Sequence, residues 1–475
     1  MILAAAFGAD MAQGLTTDFV QAIASAHSGW LRDNAVLTAA SALVADGIAV
    51  AAAGAAEPGP EILAAHFAAM AGSAADGSVV IARANRLRPT DAALVNGAAM
   101  HVLDYEPMWN PANHSVSTVL PALLALVGPA ARQSGRRAPD GAALLAALAA
   151  GVEVQARLRR ASRQFEPADL VFHPPGLVGP PGAALACGLM LGLPAAQLVA
   201  AVGIAASRAG GLLANVGSMT KALHCGGAAA AGLDAALLAA RGFGADPDAL
   251  DGPRGYLTAF FGDAADRDRM TETAPPAVIE PGPAFKFYPS QYGTHFVIEA
   301  ALAARAALPA GTGADALSGV EIVAPNMPYV DRPAPPTGLA GKFSFQYVAA
   351  AALLDGRVDL QSFTDARRHA AEMEALLAKV RIRPDLSRQG RFDRMRVDVN
   401  LELADGRRVG GTCDGPPGIW GRPAPAERLA AKARACLSGS ALAPAAEAIL
   451  TGLGGLAGLD AAGLEALLER LSLPA

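Results

Sequence analysis

Residues 395–403 read Met-Arg-Val-Asp-Val-Asn-Leu-Glu-Leu. Met395, Val397, Val399, Leu401 and Leu403 fall on one side of an extended chain and Arg396, Asp398, Asn400 and Glu402 on the other, the alternation of a half-buried strand. Asp405-Gly406 then supplies a tight turn into Arg407 and the residues up to Thr412, which predicts a β-hairpin. Outward from it, Val320-Glu321-Ile322-Val323 predicts a further strand, whereas 294–308, 343–354 and 366–379 carry apolar residues at helical spacing. Residues 276–416 are therefore expected to form a small α+β domain, entered through Pro- and Gly-rich segments over 246–289. On both sides the chain is helical. Apolar positions recur at helical spacing from 17 to 55 with breaks at Ser28-Gly29 and Gly54, and again from Glu61; Thr90 or Asp91 is the expected N-cap of the next helix. Helices are also expected over 116–131 and 141–162, separated by an arginine-rich turn over 132–140, and no strand is expected up to there. Residues 423–473 turn helical again and are expected to pack back onto the first domain. The expected fold class is mainly α, with domains at 1–275, 276–416 and 417–475.

Composition narrows the function. A net charge of -5 on 475 residues, with no basic run, argues against nucleic acid or an anionic membrane as partner. Hydrophobic residues make up 52% and charged ones 17%, and the stretch 177–207 carries no charge before Arg208. Pro180, Pro181, Gly182 and the break Gly192-Leu193-Pro194 are expected to divide it into two buried helices too short to span a bilayer. No cationic segment precedes the short apolar run at the N-terminus, so a signal peptide is not expected and a cytoplasmic location is. Cys187, Cys225, Cys413 and Cys436 lie far apart without CxxC spacing, which predicts reduced, buried thiols.

Three polar clusters interrupt the alanine-rich helices. The first, between two helical runs, gathers His101, Asp104, Tyr105, Glu106, Trp109, Asn110, Asn113 and His114 in a chain with eight histidines and three tryptophans. A simple reversal needs only a few Gly, Asn or Asp residues, so this loop reads as one wall of an active site; the bland alternative is a well-packed polar loop. In the second, His173 precedes Pro174-Pro175, which push its backbone to extended conformations and hold its side chain at a helix start. The third places Lys221 beside Ser218, Thr220 and His224 ahead of a small-residue helix, where an ammonium and helix-start amides make a carboxylate or phosphate pocket. A lysine that merely caps a turn is the alternative there. The spacing is not that of a nucleotide P-loop, the glycines over 452–458 follow no strand, and neither GxSxG nor HExxH occurs. Asp104, Glu106 and His114 fit a metal by ligand type, but the intervening prolines and the missing second carboxylate-histidine set point to no metal. No cofactor is expected.

At these clusters the sequence resembles the MmgE/PrpD family. The resemblance rests on Asn96-Gly97 through His101-x-x-Asp104 with His114-Ser115; on Phe172-His173-Pro174-Pro175 with Gly179; on Gly217-Ser218-Met219-Thr220-Lys221-x-Leu223-His224; on Lys286-x-Tyr288-Pro289 with Thr294-His295; and on Lys342-Phe343-Ser344-Phe345-Gln346-Tyr347 with Leu354-Asp355-Gly356. It implies a large all-helical domain built from N- and C-terminal segments, a smaller inserted α+β lid domain, a homodimer, and cofactor-independent lyase chemistry on a small di- or tricarboxylate such as 2-methylcitrate or cis-aconitate. Phe172 to Pro175, Tyr329-Val330-Asp331-Arg332-Pro333 and Trp109-x-Pro111-Ala112-x-His114 look like the decarboxylase branch, which implies that Asp104, His114, His173, Lys221 and Tyr329 line the active site. Gln291 stands where that branch has a histidine; glutamine hydrogen-bonds a carboxylate but transfers no proton at neutral pH. On this reading Lys221, Ser218 and Thr220 bind carboxylate, with His224 and Gln291 also facing substrate. His114 and His173 do acid/base work, Asp104 orients a histidine, and Tyr329 donates from the lid. The alternatives are an epimerase of an amino- or imino-dicarboxylate and a non-catalytic carboxylate-binding protein.

Overall fold

The computed structural model describes residues 14–71, 76–128, 138–166 and 169–474. The N-terminal stretch weighed above as a signal peptide, and most of the arginine-rich turn after the fifth helix, lie outside the described residues. The chain divides into two compact units. One comprises Met1–Met100, Pro111–Glu280 and Cys436–Ala475; the other comprises His101–Asn110 and Pro281–Ala435. The sequence reading put the changes of character at 275/276 and 416/417, whereas packing divides the chain at 280 and 435 and groups ten residues of the first polar loop with the second unit.

In the first unit helices run α1 (Leu15–Trp30), α2 (Asn34–Gly54), α3 (Pro58–Ala71), α4 (Pro89–Val102, whose last two residues belong to the other unit), α5 (Val116–Leu126), α6 (Gly141–Ala161), α7 (Pro174–Met190), α8 (Ala195–Ala206) and α9 (Thr220–Ala240). Side chains define the starts. Asp33 accepts from the amides of Ala35 and Val36, and Asp140 from that of Ala143. Small residues let these helices touch backbone to backbone: a Cβ on Gly226 of α9 would lie 2.1 Å from the Leu94 carbonyl of α4. Two expectations need correction. Pro180 and Pro181 do not interrupt the chain but sit inside α7; the Gly176 carbonyl that Pro180 leaves without its helical donor accepts instead from the Gly210 amide at 3.0 Å. The break falls only at Gly192, with φ +66, and Pro194. The unit is also not free of strand. Ser78–Val79 (β1) pairs antiparallel with Arg86–Leu87 (β2), a ladder too short to show any alternation in sequence.

The stretch 177–207 that raised the membrane question thus forms helices of 17 and 12 residues. Among the described residues three others, α2, α6 and α9, are long and apolar enough to cross a membrane by length and composition, with 61%, 89% and 61% of their apolar windows buried inside the protein. The four cysteines are buried, and none forms a disulfide among the described residues.

The second unit is built on a four-stranded sheet ordered β4-β3-β5-β6: β3 (Leu317–Ala324), β4 (Val380–Pro384), β5 (Val397–Leu403) and β6 (Arg408–Cys413). β5 pairs antiparallel with both β3 and β6, and its Val397, Val399, Leu401 and Leu403 are buried as the alternation requires. α10 (Tyr292–Ala306) lies on β6 so closely that a Cβ on Gly411 would meet the Ala300 carbonyl at 2.3 Å. β4, parallel to β3, was not expected. Its Arg381, Arg383 and Pro384 belong to an edge strand, where charge and proline discourage further pairing and mask the strand pattern. α11 (Phe345–Asp355) follows expectation, but the helix expected over 366–379 is two, α12 (Asp365–Arg368) and α13 (Ala371–Leu377), because Ala370 is extended. The unit closes with α14 (Ala426–Ser438), whose last residues, with α15 (Ala446–Gly454) and α16 (Ala461–Glu469), return to the first unit. There the Leu471 carbonyl accepts from the Ala82 amide and the Leu459 carbonyl from the Gly141 amide.

Candidate functional site

In the first unit three of the expected histidines form a row. His173 is the N-cap of α7, extended as Pro174 requires, with its amide donating to the Gly211 carbonyl at 2.9 Å. Its Nδ1 lies 3.3 Å from Nδ1 of His224 on the first turns of α9, and the His114 ring centre is 6.5 Å from that of His173. Gly211, at φ +112, leaves room for the His224 ring, which a Cβ there would approach to 3.0 Å. A bond between two Nδ1 atoms holds a single proton, so the tautomer of each ring fixes that of the other. Burial, then the nearby Lys221 ammonium, push the His224 proton affinity down, which favours a neutral ring. His114 leads into α5 from a braced loop: Asn113 Nδ2 donates to Ser115 Oγ and Gln155 Oε1, both at 2.9 Å.

Lys221 is half-buried on the opening turn of α9 and Thr220 is that helix's first residue. Ser218 is exposed, and its hydroxyl shapes the turn itself, donating to the Asn215 carbonyl at 2.9 Å and accepting from the Thr220 amide at 3.2 Å.

The second unit carries the other expected residues. Asp104 is buried with φ 52, a left-handed conformation that few side chains adopt, and its carboxylate accepts from Lys286 Nζ at 2.5 Å. Glu106 pairs with an imidazole, at 2.5 Å from His101 Nδ1 with both groups buried. Gln291 is the N-cap of α10, and its Nε2 donates to the Tyr329 hydroxyl at 3.3 Å, which brings together two residues 38 positions apart. In the sequence Lys286 and His295 stand out only as motif residues and His101 only as a residue of the first polar loop, none with a role, while Glu106 enters only as a metal ligand by type. The usable signal was composition: the chain has only five lysines, and one buried in a motif has a partner to meet. His295 is buried, stacked on Tyr292 at 4.8 Å between ring centres, and its proton affinity is held well below the usual histidine range by burial and by Lys286, against the opposing pull of Asp104.

The MmgE/PrpD N-terminal domain matches residues 13–268 and the MmgE/PrpD C-terminal domain residues 288–451. The chain belongs to the MmgE/PrpD family. Among its relatives, the cis-aconitate decarboxylase of Mus musculus is 34% identical over 371 residues, 77% of this chain and 75% of that protein. The cis-aconitate decarboxylase of Homo sapiens is also 34% identical, over 74% and 73% of the two chains, and that of Aspergillus terreus 28% over 85% of each. The MmgE/PrpD match to the N-terminal domain contains the histidine row and Lys221; the match to the C-terminal domain contains Tyr288, Gln291, Tyr329 and the sheet.

Proposed function

We propose that this protein is a lyase acting on a small tricarboxylate of the cis-aconitate kind, without metal or organic cofactor. The observation that carries the reading is the His114–His173–His224 row with Lys221 on the neighbouring turn, in a chain one third identical to cis-aconitate decarboxylases over three quarters of its length. Loss of carbon dioxide from an unsaturated tricarboxylate breaks a carbon–carbon bond and leaves its electron pair as an enolate-like charge beside a remaining carboxylate until a proton arrives. Lys221 and the amides opening α9 suit that carboxylate, with Thr220 and Ser218 lining the turn. His173, with its tautomer set by His224, and His114 suit the proton transfer. In the second unit, Asp104, held by Lys286, and Tyr329 with Gln291 are assigned to substrate binding.

Gln291 favours a second outcome. Its amide hydrogen-bonds Tyr329 but supplies no proton, so delivery falls to the histidine row, and addition or removal of water at the same double bond becomes a competing result. Proton NMR in deuterated water, with cis-aconitate, citrate and 2-methylcitrate offered separately, decides. Carbon dioxide released with one deuterium gained at carbon is the expected result; an alkene formed from a hydroxy acid marks the dehydratase. Exchange of an α-proton with no elimination from any of them would overturn the lyase reading.

A further inference from the structure

Three of the five lysines in this chain lie in the second unit almost out of solvent, Lys286 at 1%, Lys342 at 4% and Lys432 at 6% exposure. They come from distant parts of the sequence: the segment before α10, the end of a short turn of helix at Gly338–Gly341, and the middle of α14. They converge on three consecutive residues. Lys342 Nζ donates to the Leu103 carbonyl at 3.0 Å, Lys286 Nζ to the Asp104 carbonyl at 2.9 Å and its carboxylate at 2.5 Å, and Lys432 Nζ to the Tyr105 carbonyl at 2.8 Å. Lys286 places its third donor on the Ser290 carbonyl at 3.2 Å, and Lys432 also sits 4.0 Å from the centre of the Tyr105 ring.

A buried ammonium is costly unless its donors are used, so three of them on one tripeptide are not explained by solubility or general packing. The tripeptide follows the C-terminus of α4, where carbonyls lack helical donors and cations are favoured, but one capping lysine would meet that need. The middle residue is Asp104 with φ 52, a strained position that persists only where its surroundings impose it. Just beyond, Met108 and Ala284 exchange backbone hydrogen bonds at 3.0 and 2.7 Å, so the loop is pinned at both ends.

We infer that Lys286, Lys342 and Lys432 form a clamp that imposes the left-handed backbone at Asp104, and that Lys342 and Lys432 are positioning residues for the Asp104 carboxylate. This rests on the reading that Asp104 serves the reaction. Neither lysine acts on substrate; each acts through the carbonyl it grips.

The test uses the full-length enzyme with Lys342→Met, Lys432→Met and Lys432→Arg, read by steady-state turnover of cis-aconitate, or of whichever tricarboxylate it converts, and by amide hydrogen exchange. Methionine keeps the length and apolar body of the stem and removes the donor. The two methionine variants are expected to lose at least tenfold in kcat with KM changed less than threefold, and to exchange faster over residues 101–108 while α5 to α9 keep wild-type protection. Lys432→Arg, which retains a donor, is expected to recover most of the turnover. Wild-type kcat and wild-type exchange in both methionine variants would overturn the clamp; so would a global rise in exchange or failure of both to fold, which would make these lysines scaffold only. Asp104→Asn separates the two readings. If it turns over normally while the methionine variants loosen the loop, the clamp stands and the role of Asp104 falls; if it is slow while those variants behave as wild type, the reverse holds.

Discussion

His295 shows how a single buried group couples this fold to pH. It has lost solvent, faces the Lys286 ammonium, and gains too little from Asp104 to hold a proton in the native protein. In the unfolded chain its imidazole titrates near the ordinary histidine value of 6.5. Above that pH both states are neutral and His295 has no effect on stability. As pH falls below it the unfolded state binds a proton that the native state refuses, so stability drops. His27, also depressed by burial, adds in the same direction. The melting temperature is expected to fall between pH 7 and pH 5, and His295→Gln, neutral throughout, to make that fall shallower; identical slopes in the two proteins would show that His295 is not the titrating group. His295 was legible as a motif residue, but its neutrality follows from burial and then from Lys286, nine positions away, against the pull of Asp104, 191 positions away, and no local pattern brings these groups together.

At the scale of elements, the helices of the first unit are held by closeness more than by bulk. α4 and α9 meet where a Cβ on Gly226 would press on the Leu94 carbonyl at 2.1 Å and the Ala98 amide at 3.1 Å, both backbone atoms that no rotamer change can move. Gly226→Ala is therefore expected to destabilise by about 1–3 kcal/mol, as overpacking does, and to lower the melting temperature by several degrees. Gly227, with nothing within 4 Å of its added Cβ, is the control, and Gly227→Ala should be neutral or stabilising. Equal melting temperatures for the two variants would mean the helices slide apart at no cost. Alternation and turn chemistry made β5 and its hairpin readable, and helical spacing made most helices so. β4 was not readable because an edge strand's charges hide its period, and the continuity of α7 through Pro180 and Pro181 was not because it depends on a donor from Gly210.

For the whole molecule, the absence of ligand spacings in the sequence and the protonic character of the histidine row lead to the expectation of activity without metal. Turnover should survive dialysis against a chelator; loss of activity restored by one added metal would refute this. The same preparation, run on a calibrated ultracentrifuge, is expected to sediment at twice the chain mass, and a monomer would refute the homodimer that the family resemblance implies. The sequence by itself determined the class of the molecule: helical periodicity on both flanks, a strand pattern between them, and five motifs in family order, because hydrophobic period and short polar motifs are local properties of a chain. Only the tertiary structure decided which charges meet. That His173 lies within hydrogen-bonding distance of His224, that Gln291 reaches Tyr329, and that three lysines far apart in sequence grip the carbonyls around Asp104 depend on long-range packing, where a side chain's partner is set by which backbones come close.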